Sequence, residues 1–246
     1  MDKNRVEEKE AKWKAIYKAG AVAAILTVLV AVAEIGITFL PGGGRETTNA
    51  RTVIDWFRLY QTSPFMGMRN LGLLNFFLVG LSILFNYALY GAHRKVERPL
   101  AGLALIISII GMAVFFATNR AFPMLALSNQ YAAAASDTQR ALLLAAGQAM
   151  LAVGESHTPG TFLAFFISEI AGILMSVVML RGKIFSQASG MVGILAFGSL
   201  LIFEICSSFI PALFQAAMIF ALGGGILSMV WYILVARKLF QLSREG

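Results

Sequence analysis

The sequence predicts an all-α, polytopic membrane bundle of six transmembrane helices with short interfacial helices on the outer side. Two observations carry this prediction. Of the 246 residues, 58% are hydrophobic and only 13% are charged, against roughly 45–50% and about 25% in soluble domains. Apolar runs also recur along the whole chain, each reaching the roughly 20 residues that a helix rising about 1.5 Å per residue needs to cross a hydrocarbon layer of about 30 Å. Six such spans occupy most of residues 1–246, which read as a single membrane domain without a separate soluble catalytic unit. The net charge of +7 is divided among tails and short loops. That distribution points to the lipid bilayer as the surrounding partner and away from nucleic acid. The one cysteine, Cys206, lies in an apolar span, so no intrachain disulfide can form.

Span one covers about 15–40 and stops at Pro41-Gly42-Gly43-Gly44, which disfavours helix continuation. The charged stretch before it lacks the apolar core and cleavage site of a secretory signal peptide, so this span is expected to be retained. In the following loop Val53, Trp56, Phe57 and Tyr60 fall at i, i+3, i+4 and i+7, with Arg51, Asp55 and Arg58 on the other side. The spacing predicts an interfacial helix at about 48–61, with Trp56 and Tyr60 at headgroup level. Span two covers about 65–90 and ends at the basic turn His93-Arg94-Lys95-Val96-Glu97-Arg98-Pro99. Span three covers about 100–121, before Pro123. Ser136-Asp137-Thr138-Gln139 matches a capping box and predicts a second interfacial helix at about 137–153. Span four, at about 160–181, follows Thr158-Pro159, read as an N-cap with proline at the first helical position. Span five covers about 190–210, Pro211 makes the turn, and span six covers about 212–240.

The cations then set orientation. Fourteen Lys and Arg residues flank the spans on the side of the two termini and six are spread over the longer loops of the other side. By the positive-inside rule both termini are cytoplasmic, as expected of a multi-pass protein of the cell's plasma membrane.

Five of the spans carry a stripe of small or polar residues at alternating steps of three and four. Gly20, Ala24, Thr27, Ala31 and Glu34 form it in span one, and Asn75, Val79, Ser82 and Asn86 in span two. It continues as Ala101, Ala104, Ser108 and Gly111 in span three, as Glu169, Gly172 and Ser176 in span four, and as Ala217, Ala221, Gly224 and Ser228 in span six. Small residues let helix backbones approach closely where lipid supplies no hydrophobic drive to association, so the stripes predict a tight bundle. A gapless shift of 170 residues aligns Glu34-Ile35-x-x-x-Phe39-Leu40-Pro41 with Glu204-Ile205-x-x-x-Phe209-Ile210-Pro211. A duplicated hairpin and a chance match between apolar helices both account for it.

Three carboxylates lie within spans: Glu34, Glu169 and Glu204. At about 1.5 Å per residue all three fall about 9 to 14 Å below the outer helix ends, in one layer. Asn119 and Arg120 end span three, and an arginine there can reach inward or snorkel outward. These five residues are the candidate ligand or ion site. Charged groups at such depth usually face the bundle interior and mark a site or pathway, which suggests an outward-open cavity for a small cation or a protonatable solute. The competing reading is that the glutamates are packing contacts near the wet end of the bundle. His93 and His157 fall on opposite sides of the membrane and cannot share a metal or haem; Glu155-Ser156-His157 with Asp137 reads as a solvated loop before a divalent-ion site. Gly223-Gly224-Gly225 reads as a close-approach segment before a hinge.

The spans contain no aspartate, and the chain has no H-E-x-x-H, G-x-S-x-G, Walker A or Glu-x-x-His motif. No enzyme template fits, and neither a catalytic residue nor a metal or other cofactor is expected. The segments Asn119-Arg120-Ala121-Phe122-Pro123-Met124, Leu127-Ser128-Asn129-Gln130-Tyr131-Ala132, Ala145-Ala146-Gly147-Gln148-Ala149-Met150-Leu151, Val178-Met179-Leu180-Arg181 and Ile233-Leu234-Val235-Ala236-Arg237 resemble a bacterial family of six-helix membrane proteins classed as a domain of unknown function. The resemblance implies the same architecture in a bacterial inner membrane and brings no activity, cofactor or site residue with it. Two functions follow as expectations: binding or transport of a small cationic or protonatable solute through the glutamate layer, or an accessory or assembly role in which the small-residue faces pack on a partner subunit or a second copy.

Overall fold

A computed structural model describes residues 3–39, 52–153 and 157–245. Its elements are α1 (Lys3–Phe39), α2 (Val53–Thr62), α3 (Pro64–Asn70), α4 (Leu73–His93), α5 (Arg98–Thr118), α6 (Ala121–Ala133), α7 (Asp137–Ala152), α8 (Phe162–Gly182), α9 (Gln187–Phe209), a short 3-10 turn (Pro211–Leu213) and α10 (Phe214–Arg244). No strand occurs among the described residues. Six stretches, within α1, α4, α5–α6, α8, α9 and the last turn with α10, are long and apolar enough to cross a membrane. The chain is a multi-pass, all-α membrane protein.

The six long helices form a closed ring in the order α1, α4, α5, α8, α9, α10, with α10 packed back on α1. Successive long helices cross in opposite directions, which makes each antiparallel to both neighbours. The ring therefore has a terminal end, where α1 begins and α10 stops, and a cap end, covered by α2, α3, α6 and α7. Outward faces carry large apolar side chains such as Leu29, Ile106, Leu163, Leu195 and Ile226. In lipid that exposure is favourable, and in water it would be one continuous sticky belt.

The stripes face inward as their spacing requires. A Cβ on Gly20 would run into Ala88 of α4, and one on Gly111 would lie 2.8 Å from the Ser168 hydroxyl of α8. Ala21, Ala24, Ala88, Leu89, Ala101, Ala104, Val178, Val235 and Leu239 join one core that fills the ring toward its terminal end. A clasp closes that end. Arg94 of the α4–α5 turn donates to Gly91 O and Tyr17 Oη, both at 2.6 Å, pairs with Glu10 at 3.2 Å, and lies 4.2 Å from the Trp13 ring centroid.

The cap departs from a pair of surface helices. Val53, Trp56, Phe57 and Tyr60 of α2 are buried against Leu71, Leu73, Ala121 and Met124, so the face expected at headgroup level is sealed by α3, α6 and α7. Thr52 caps α2: its side chain accepts from Asp55 N, and its own N–H donates to Asp55 Oδ2 at 3.0 Å. Residues 48–51, expected as the first turn of this helix, lie outside the described residues, as does the Pro41–Gly44 stop. The helix α6 was not legible from sequence. In α7 the Ser136 side chain caps Gln139 N, while the Gln139 side chain accepts from Ala135 N, one residue before the position of a full capping box.

Two boundaries move, the first by about two turns and the second by about half a turn. The span expected from 65 starts at Leu73, because Gly72 takes φ +102° and separates α3 from α4. The expected cap at Thr158-Pro159 is a tight turn instead, Thr161 Oγ1 donating to Thr158 O at 3.2 Å, and α8 starts at Phe162. Gly72→Ala is expected to lower stability by about 1–2 kcal/mol, the usual penalty for an L residue in the left-handed region. Its Cβ would also sit 3.0 Å from the Asn119 amide nitrogen. A thermal melt in detergent checks this; an unchanged midpoint would mean that the α3–α4 break is not required.

Candidate functional site

The polar stripe residues of the cap half do not close on one another. Between the helices they leave a cavity of about 500 Å³, lined from all six long helices and by His157. Its length follows from α4, where Asn75, Val79, Ser82 and Asn86 succeed one another along one face and span about 16 Å. His157 and Asn75 mark the cap end. Toward the terminal end the cavity is floored by Phe85, Phe197, Trp231 and Tyr232, next to the core.

The floor is a set of packed rings. Phe85 lies 4.9 Å from Tyr232 and 5.4 Å from Trp231, and Phe197 meets Trp231 edge-on at 4.9 Å. Aromatic pairs at such distances fix one another's orientation. The ring of Phe197 is seated by Gly172, where a Cβ would lie 2.5 Å from it. Glu169 stands one turn before Gly172 on the same face of α8 and lines the cavity above that floor. Its Oε2 is buried and has no hydrogen-bond partner.

The walls hold a chemical bias. Thr27 Oγ1 donates to Ala23 O at 2.9 Å, Ser82 Oγ to Val79 O at 2.7 Å, Ser168 Oγ to Ala164 O at 2.7 Å and Ser228 Oγ to Gly225 O at 2.7 Å. Asn86 Nδ2 donates to Ser82 O at 2.8 Å. Each hydroxyl spends its proton on its own helix and keeps oxygen lone pairs, while the Asn86 amide keeps a second N–H and Trp231 Nε1 is buried without a partner.

The remaining sequence candidates have different surroundings. Glu204 is 1% exposed; its Oε2 is 2.5 Å from His157 Nδ1 and its Oε1 accepts from Ser208 Oγ at 3.3 Å. His157 therefore bridges Glu204 and the cavity. It adopts φ +63° and packs its ring on Phe165 and Phe203, with centroids at 4.4 and 4.9 Å. Glu204 is also within electrostatic reach of Glu169, so two of the three glutamates share a neighbourhood. Glu34 is not among the residues lining the cavity. Buried Arg69 of α3 holds it through Nη2 to Oε1 at 2.9 Å, Nε to Oε2 at 3.2 Å and Nη2 to its backbone oxygen at 3.2 Å. The guanidinium that reaches Glu34 thus comes from Arg69, which is not among the candidate site residues.

Asn119 has a joining role. Its Nδ2 donates to Gly72 O at 3.1 Å and its Oδ1 accepts from Ala121 N at 3.1 Å, which ties the start of α4 to the start of α6. Arg120 is buried and lines a narrow cleft with Asn119, Thr161 and Phe165; Phe115 and Phe165 border both this cleft and the cavity. Arg120 also lies within electrostatic reach of Tyr60. Burial pushes the Tyr60 phenol well above its ordinary value, so it remains a donor, to Ala121 O at 2.9 Å.

Among the described residues no group of three His, Cys, Asp or Glu side chains could hold a metal ion. Asp137 is exposed and pairs with Arg140 at 3.6 Å, while Glu155 and Ser156 lie outside the described residues. No family model matches the chain, and no curated protein or solved structure does either, so the family resemblance rests on its quoted segments alone.

Proposed function

We propose that the protein binds or moves a small cationic or protonatable solute through the cavity of its cap half. The observation that carries this reading is Glu169, a carboxylate lining a largely apolar, partly open cavity of about 500 Å³ with one oxygen buried and unpartnered. Ionisable groups at this depth are expensive and are usually retained for a pathway or a site. The distribution of cations supports cytoplasmic termini, which would turn the cavity's cap end outward in a bacterial inner membrane. His157, bonded to Glu204 at that end, would then be the first ionisable group a solute meets.

The test uses the full chain in proteoliposomes, with rubidium and methylammonium as tracers and a pH-sensitive dye for protons. Glu169→Gln is expected to reduce uptake or exchange of the accepted tracer by about tenfold, the effect of losing one charge-assisted contact of about 1.5–3 kcal/mol. Glu34→Gln is expected to change it little, since Glu34 is engaged by Arg69. Equal activity of the native chain and Glu169→Gln would overturn the cavity reading and favour the accessory or assembly role.

A further inference from the structure

The chemistry of the cavity wall narrows the class of solute, and this step rests on the reading that the cavity takes a cation. We propose that its ligand is a protonated primary or secondary amine carrying an apolar or aromatic body.

The wall hydroxyls of Thr27, Ser82, Ser168 and Ser228 have their protons committed to carbonyls of their own helices. What those hydroxyls and Glu169 present is acceptors, while the donors of the lining include Trp231 Nε1, buried and unpartnered, and the Asn75 and Asn86 amides. The acceptors pair with the N–H groups of a cation, and the Glu169 carboxylate disfavours an anion. An ammonium supplies up to three donors at one point, and the carboxylate neutralises its charge.

A bare metal ion fits less well. Hard cations gather about six oxygens at 2.0–2.6 Å around one point, whereas among the described residues no group of three His, Cys, Asp or Glu side chains could hold a metal ion. The cavity is also larger than an ion needs, at about 500 Å³, and falls in the range of roughly 300–1,000 Å³ that holds organic ligands.

The floor supplies the second half of the argument. Phe85, Phe197, Trp231 and Tyr232 make a packed aromatic surface, and Glu169 stands one helical turn from the Gly172–Phe197 contact. A carboxylate beside aromatic faces binds an organic cation twice over, by charge at the nitrogen and by ring contact along the carbon body. The same pairing gives an inorganic ion only the first.

The experiment measures saturable thermal stabilisation of the purified full chain in detergent by five probes: 2-phenylethylamine, its N,N,N-trimethyl analogue, 3-phenylpropionate, potassium chloride and magnesium chloride. The expected order is 2-phenylethylamine first, the trimethyl analogue about tenfold weaker for want of N–H donors, and no effect from the carboxylate or the salts. Glu169→Gln is expected to weaken 2-phenylethylamine about tenfold or more. Should that variant fail to fold, the probe series on the native chain decides alone. Equal response to 2-phenylethylamine and 3-phenylpropionate, or a trimethyl analogue as strong as the amine, would overturn the proposal. Response to potassium or magnesium alone would overturn it while leaving the cation reading intact. Silence toward all cationic probes would remove both.

Discussion

Gly193→Leu will lower the melting temperature of the protein by about 6 to 12 °C. Gly193 is where α8, α9 and α10 meet: a Cβ there would run into Ser176 Oγ of α8 and lie 2.5 Å from Trp231 Nε1 of α10. Ser176 and Trp231 are fully buried, and Trp231 is packed between Phe85 and Phe197. Overpacking of this kind costs about 3 kcal/mol or a little more, and in a chain of this size each kcal/mol moves the midpoint by about 2–4 °C. The control is Gly198→Ala on the same helix, where nothing lies within 4 Å of the added carbon. That change is expected to be neutral or stabilising, since alanine is the better helix former by up to about 1 kcal/mol. Fluorescence-detected melts of the three proteins in one detergent decide the matter, and a Gly193→Leu midpoint equal to the control's would refute the junction.

The second large effect concerns the pair at the cap end of the cavity. Glu204 is 1% exposed in the native chain, and His157→Ala removes one of its two side-chain partners, keeping the Ser208 hydroxyl at 3.3 Å. Breaking a buried pair from one side strands the other group and costs about 3 kcal/mol. Glu204→Gln, in contrast, keeps a hydrogen-bonding oxygen for both His157 and Ser208 and is expected to cost under about 1 kcal/mol. Combining the two should recover much of the loss, because a neutral amide is far cheaper to bury alone than a carboxylate. The readout is a double-mutant cycle by thermal melts. A double variant as unstable as the sum of the singles would show that the two side chains act independently.

What the residues revealed in advance, and what they did not, divides along a physical line. The stripes were legible because helical periodicity is local: Gly20, Ala24, Ala104 and Ala217 are buried as their spacing requires. Glu169 was legible because a carboxylate inside an apolar span is too costly to face lipid and must turn toward the bundle interior. The partners of the other two glutamates were not, since Arg69 lies 35 residues from Glu34 and His157 lies 47 from Glu204. Only the ring order of the helices brings them together, and no local pattern encodes it. Both glutamates related by the 170-residue shift end up held by a nitrogen-bearing side chain from the cap side of the bundle, a similarity of environment that the alignment of spans one and five did not include. The cap escapes a reading by pattern for a related reason. Phe65 to Met68 read as the start of span two because they are apolar, and only Gly72's positive φ cuts them away as α3. Likewise Trp56 and Tyr60 have the composition of an interfacial belt, and tertiary packing on α6 and α7 decides otherwise. The polar stripe of span two reads as glue between helices, whereas Asn75, Ser82 and Asn86 border open space.

The alternating direction of the six helices has an electrostatic corollary. A helix carries roughly half a positive charge at its first turn and half a negative charge at its last. Around this ring the six ends at each face alternate in sign, so the fields of the macrodipoles cancel near the axis, where the cavity lies. The potential that an entering solute meets is therefore set by side chains. Among the described residues that line the cavity, the single carboxylate is Glu169, so a single amide substitution there would change the interior from attractive to nearly indifferent toward positive charge.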